Sequence, residues 1–140
     1  MASGSAALDA IVARLRDCSD PRRRYDYVLW LAKKLPPAPE ELQQQEANRV
    51  CGCASRVYVA PTLEDGVLHW QGHSDALITR GLLALLIQGL DGLTPEAVVA
   101  IDPAFIAETG LQASLTPSRA NGFLSILRHM QAQAAGLAAG

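Results

Sequence analysis

Apolar residues recur three and four positions apart through residues 5–17, at Leu8, Ile11, Val12 and Leu15, which is the spacing of a helix with one buried stripe. Asp20-Pro21 then supplies a capping carboxylate ahead of a first-turn proline. Tyr25, Val28, Leu29, Ala32 and Leu35 carry a second helix onward until Pro36-Pro37 stops it. Residues 38–48 are polar and glutamine-rich, with a further proline at Pro39, and are expected to cross the surface as a loop holding about one helical turn. The period then changes to two. Val57 and Val59 alternate with Arg56 and Tyr58, Glu64-Asp65-Gly66 supplies a turn, and Val67-Leu68-His69-Trp70 resumes extended character, so a β-hairpin is expected between residues 55 and 71. Two strands are marginal alone, and a third short strand is expected near residues 48–51 or in the loop before them.

Beyond Gly72, Ser74 or Asp75 is placed to cap a helix over residues 76–90, strongly apolar from Leu82 to Ile87 and therefore central. Gly81 costs that helix roughly 1 kcal/mol relative to alanine, which argues for the close approach of another backbone. Thr94-Pro95, Asp102-Pro103 and Thr116-Pro117 mark three further helix starts. The last helix should run from Pro117 to about residue 135, with Phe123, Leu127 and Met130 on or near its core side. The Ala/Gly-rich tail 132–140 and residues 1–4 are expected to fray. Helices, a small antiparallel sheet, then helices again predict one α+β domain over residues 1–140, with a three-stranded sheet packed against a helical layer.

A chain of 140 residues is long enough to hide roughly two-thirds of its unfolded surface without a metal or disulfide staple. Its 12 basic and 14 acidic groups leave a formal charge of -2, so no surplus is available to track a phosphate backbone, and nucleic acid is not expected as a partner. Basic clusters at Arg22-Arg23-Arg24 and Lys33-Lys34 fall on a helix whose other face is apolar and read as a solvated face, with a docking patch for an acidic protein surface as the alternative. The longest uncharged apolar run, residues 81–90, is about half the length that spans a bilayer, so a soluble protein without membrane association is expected. The first residues lack the basic and apolar parts of a secretion signal. Three cysteines, two of them one residue apart, do not suit a secreted disulfide framework. A reducing compartment follows as the expectation: the cytoplasm, or the plastid stroma if a transit segment has been removed.

The candidate chemical centre is Cys51-Gly52-Cys53. A thiol flanked by glycine and small residues suits presentation on a loop tip, and Arg56, three residues after Cys53, would favour its anionic form. Several readings compete. Both cysteines could be small fillers at a strand start. They could form a Cys-x-Cys redox couple, although so small a disulfide ring is strained. They could join His69 or His73 in a metal site, although no second Cys-x-x-Cys completes the four ligands zinc prefers. The last reading is a single reactive thiol. Cys18, at the end of the first helix, reads as a small apolar filler.

Four stretches together suggest a family: Gly52-Cys53-Ala54-Ser55-Arg56-Val57-Tyr58, Leu68-His69-Trp70-Gln71-Gly72-His73-Ser74-Asp75-Ala76, Arg80-Gly81-Leu82 and Leu115-Thr116-Pro117-Ser118-Arg119. In order and spacing they closely resemble the SufE family of sulfur-acceptor proteins, from the second helix to the last. The resemblance implies a SufE/IscU-like α+β fold and a role in iron–sulfur cluster assembly. It also implies a partner cysteine desulfurase (SufS-like or CsdA-like) that carries pyridoxal phosphate, with no cofactor or metal held by this chain. Cys53, matching the family's Gly-Cys-x-Ser motif, would accept persulfide sulfur from that partner and pass it to a downstream Fe–S scaffold. The chain would thus be a sulfur-transfer protein and desulfurase activator rather than a stand-alone enzyme.

Ser118 and Arg119 carry over as a matched motif, which gives Arg119 a stronger claim than Arg56 to stabilise the thiolate or persulfide, with help from the helix N-terminus. Gly52, Ser55, Gly72, Ser74 and Asp75 carry over as supporting loop and motif residues. Tyr58 stands where family members often have tryptophan, and His73 replaces a common acidic residue, leaving Asp75 as the carboxylate of that turn. Cys51 is not part of the motif and is either inert or a redox partner of Cys53. Between transfers the Cys53 side chain is expected to fold inward against Val57 or the central helix until a partner draws it out.

Overall fold

Ser5 caps helix α1 (Ala6–Arg16), its hydroxyl accepting the Leu8 N–H at 3.1 Å and donating to the Gly89 carbonyl, so one side chain both starts the helix and ties it to the centre of the molecule. Helix α2 (Pro21–Lys34) begins the same way, with the Asp20 carboxylate accepting the Arg22 N–H at 3.0 Å ahead of the proline. This computed structural model describes residues 3–52 and 55–139. Residues 3 and 4, expected to fray, are held: Ser3 is buried and donates its N–H to the Asp9 carboxylate at 2.8 Å. That bond holds the Asp9 carboxyl below its ordinary value.

The polar stretch after α2 forms one short turn of helix, α3 (Glu41–Gln44), and a 3₁₀ turn at Glu46–Asn48. Strands β1 (Val57–Glu64) and β2 (Val67–Ser74) then pair antiparallel from Val57↔Ser74 to Glu64↔Val67. Asp65 and Gly66 make the turn with φ of 52° and 83°, both left-handed, the combination whose twist matches that of the flanking strands. The expected third strand is not formed among the described residues. It is reduced to one bridge, Arg49↔Tyr58, with the Val50 N–H donating to the Val57 carbonyl at 2.9 Å. A helix satisfies the outer edge of β1 further along: Gln133 of α7 (Pro117–Ala139) donates its side-chain amide to the Val59 carbonyl at 2.8 Å.

Helix α4 (Leu77–Leu90) is buried on nearly all sides and packs against α1, α2, β2 and α7. The close approach expected at Gly81 is present: a Cβ there would fall on the Val28 carbonyl oxygen of α2. Gly72 has the matching role on the sheet, since a Cβ would lie 2.7 Å from Leu83 Cδ2. Ser74 ends β2 instead of capping α4 directly; its hydroxyl accepts the Ala76 N–H at 3.3 Å.

Thr94 caps the short α5 (Pro95–Val99), whereas Asp102 closes a turn by accepting the Ala104 N–H and α6 (Phe105–Glu108) starts later. Helix α7 buries Phe123, Ile126, Leu127 and Met130 and continues to Ala139, beyond the expected end near residue 135. Ala134, fully buried, anchors that extension. The result is an α+β fold with a two-stranded sheet packed on a central helix.

Candidate functional site

The Val50 N–H bond to the Val57 carbonyl closes the base of the loop that carries the Cys-Gly-Cys motif. On that loop Gly52 takes φ of 88°, and a Cβ there would come 2.8 Å from the Ser125 hydroxyl of α7, so both conformation and space call for glycine. Cys53, the leading candidate, and Ala54 lie outside the described residues. Cys51 is an exposed free thiol, and Cys18 is a half-buried free thiol.

Ser55 re-enters the structure half-buried at the wall of a cleft of about 320 Å³. Thr79 and Leu82 of α4, Thr116, and Ser118, Arg119 and Gly122 of α7 line the rest. Residues 55, 79 and 119 are far apart in the chain. The N-terminal ends of α4 and α7 bring them together, and α7 points its positive dipole end at the cleft. Thr116 starts α7 by accepting the Arg119 N–H at 3.3 Å. Among the described residues Arg119 is the only charged one in the lining, and its guanidinium makes no ion pair with any of them. Arg56 is exposed and is not part of this wall.

Of the expected site residues, Ser55, Ser118 and Arg119 therefore meet in one place. Gly72 and Ser74 support the frame: Ser74 is fully buried, and its carbonyl accepts the Arg80 Nε–H at 2.9 Å. Asp75 is exposed and lies 3.0 Å from His73 Nε2, so the histidine that departs from the family pattern is paired with the one carboxylate of that turn. Sequence reasoning missed Thr79, which sits in the apolar helix, and quoted Leu82 and Thr116 within the family-like stretches without naming them as site residues.

The family model described as the SufE Fe–S metabolism associated domain matches residues 9–134. The chain belongs to the SufE family. It is 54% identical over 127 residues to an uncharacterized SufE-like protein of Synechocystis, covering 91% of this chain and 79% of that protein. It is 44% identical over 118 residues to the cysteine desulfuration protein SufE of Plasmodium vivax, covering 81% of this chain and 46% of that protein. The solution structure of a hypothetical protein from Thermus thermophilus shares the fold with a TM-score of 0.82 at 28% identity, covering 97% of this chain and 98% of that one.

Of the two histidines weighed as ligands in this SufE chain, His73 pairs with Tyr58 at the loop end of the hairpin, whereas His69 stands away from the motif loop. His69 pairs with Thr62 in the hairpin, five residues from the Val57↔Ser74 end and so roughly 16 Å along the strand, and its Nδ1 lies 3.0 Å from Asp91. Among the described residues, no group of three or more His, Cys, Asp or Glu side chains is placed to hold a metal ion, and no helix is long and apolar enough to cross a membrane.

Proposed function

We propose that this SufE protein is a persulfide carrier: Cys53 takes sulfane sulfur from a pyridoxal-phosphate-dependent cysteine desulfurase, thereby speeding that enzyme's turnover, and passes the sulfur to an iron–sulfur scaffold. The observation that carries the reading is the cleft at the start of α7, where hydroxyls and one guanidinium without an ion pair among the described residues line a wall that includes Ser55, two residues after the motif cysteine. The protein holds no cofactor of its own in this scheme.

In the transfer, the Cys53 thiolate attacks the outer sulfur of the donor's persulfide. The donor's S–S bond breaks, the donor leaves as a thiolate, and Cys53 becomes the persulfide, with no net oxidation or reduction. A free thiol has a pKa near 8.5, so a nearby cation that favours the anion raises the reactive fraction at neutral pH. Arg119 has that role here, and the N-terminus of α7 adds to it.

Replacing Cys53 with serine is expected to abolish stimulation of the desulfurase, and retained stimulation contradicts the proposal. The metal-scaffold alternative is weakened by the position of His69, and elemental analysis separates the two: stoichiometric zinc or iron in the purified protein favours the scaffold. A Cys-x-Cys oxidoreductase is tested by insulin reduction, whose loss in a Cys51→Ser variant would support it. Alkylation of Cys53 measured alone and with the desulfurase reads the loop. Faster labelling in the complex supports an inward-to-outward switch, and equal rates count against one.

A further inference from the structure

Beyond steadying a thiolate, the cleft has the composition of a recognition site. Four hydroxyls, from Ser55, Thr79, Thr116 and Ser118, surround the single Arg119, while Leu82 supplies an apolar wall. Among the described residues no carboxylate lines it to neutralise the arginine. Thr79 is informative because it is only 6% exposed yet has no hydrogen-bond partner for its hydroxyl among the described residues. A hydroxyl on a residue that lines a cleft, with no protein partner among the described residues, leaves a donor for something that enters. The volume, about 320 Å³, sits at the small end of the usual range for small-molecule sites. Covalent geometry keeps residue 53 within two Cα steps, about 7 Å, of Ser55.

We infer that this cleft is a carboxylate subsite that takes low-molecular-weight thiols bearing a carboxylate, such as a free amino-acid thiol, as sulfur acceptors from Cys53. The inference rests on the persulfide-carrier reading for its chemistry. Arg119 receives the carboxylate, whose planar geometry matches the guanidinium fork, and the hydroxyls of Thr79 and Ser118 donate to its remaining lone pairs. The acceptor's thiolate then attacks the outer sulfur of the Cys53 persulfide. A new bond forms between the acceptor sulfur and the transferred sulfur, the Cys53 S–S bond breaks, and Cys53 leaves as a thiolate. One persulfide is consumed and one is made, so no external oxidant or reductant is needed.

The first test needs no persulfide. In a Cys51→Ser background, Cys53 is alkylated with iodoacetate, which carries a carboxylate, and with iodoacetamide, which does not. The same protein unfolded in urea gives the intrinsic ratio of the two rates. The folded protein is expected to favour iodoacetate by about fivefold or more over that intrinsic ratio, because a fixed positive site raises the local anion concentration. Arg119→Gln should return the ratio to the unfolded value and Arg119→Lys should restore part of it. A folded ratio equal to the unfolded one overturns the inference.

The second test loads Cys53 with sulfur and compares its removal by 3-mercaptopropionate and by 2-mercaptoethanol, in native protein and in Arg119→Gln. A preference for the carboxylate thiol that disappears in the variant is expected. Its absence, with the alkylation preference intact, overturns the acceptor assignment. If Cys53 never gains sulfur from a desulfurase, the persulfide-carrier reading fails, and the alkylation ratio still decides the carboxylate subsite.

Discussion

The α2–α4 crossing and the cleft at the start of α7 are built on opposite principles. At the crossing, Gly81 lets the Val28 backbone of α2 reach the axis of α4, and Val28, Leu82, Leu83, Leu85 and Leu86 are essentially without solvent contact. Every neighbour there constrains every other, as in any close-packed interior. At the cleft, Arg119, Ser118 and Thr116 are exposed, and the guanidinium is left without an ion-pair partner among the described residues. Stability is concentrated where the packing is tight, and solvent-facing polar groups line the cleft where chemistry is proposed. Substitutions in the first region should therefore change folding, and those in the second should change reactivity with folding intact.

The largest expected effect is on the packed side. Phe123 is fully buried and meets Phe105 edge to face with ring centroids 6.2 Å apart. Phe123→Ala should cost about 4 kcal/mol in a urea unfolding curve. Gly81→Ala is next, at about 3 kcal/mol, because the added methyl meets a carbonyl oxygen that only helix displacement can move. Thr94→Ala, which removes the α5 cap, should cost about 1 kcal/mol. By contrast, Arg119→Gln should change the unfolding free energy by no more than about 0.5 kcal/mol while changing Cys53 reactivity. Equal destabilisation by Arg119→Gln and Thr94→Ala would erase the contrast.

The smallest effect is on pH dependence. The folded Asp9 carboxyl is held below its unfolded value by the Ser3 N–H. It therefore contributes stability that is present above the unfolded pKa and lost as pH falls through the lowered folded value. Asp9→Asn should flatten that acid-side segment of a plot of stability against pH, by lowering stability above the unfolded carboxyl pKa and leaving the most acidic end nearly unchanged. An unaltered acid limb would show that the N-terminal bond contributes nothing.

Much of the frame was legible in the sequence because local signals and burial agreed. Ser5 and Asp20 mark their helix starts, Asp65-Gly66 needs left-handed φ, and the glycine in the apolar α4 run marks a backbone contact. The third strand is absent among the described residues because strand number depends on what covers an edge. Here Gln133, more than seventy residues downstream, supplies the hydrogen bond that another strand would have made. The basic triplet is only partly a solvated face: Arg24 turns inward and donates to the carbonyls of Leu15 at 3.1 Å and Gly110 at 3.4 Å. At the site, Arg119 was legible through its motif, but Thr79 was not. Its one signal was a hydroxyl residue in an otherwise apolar helix, and only the docking of α7 beside α4 gives that signal meaning.

The central claim is tested most directly by intact-mass and peptide mass spectrometry after incubation with a cysteine desulfurase and cysteine. The account predicts one added sulfur atom, on the peptide holding Cys53, that persists in Cys51→Ser and disappears in Cys53→Ser. Sulfur found only on Cys51, or none at all while the desulfurase turns over, would contradict it.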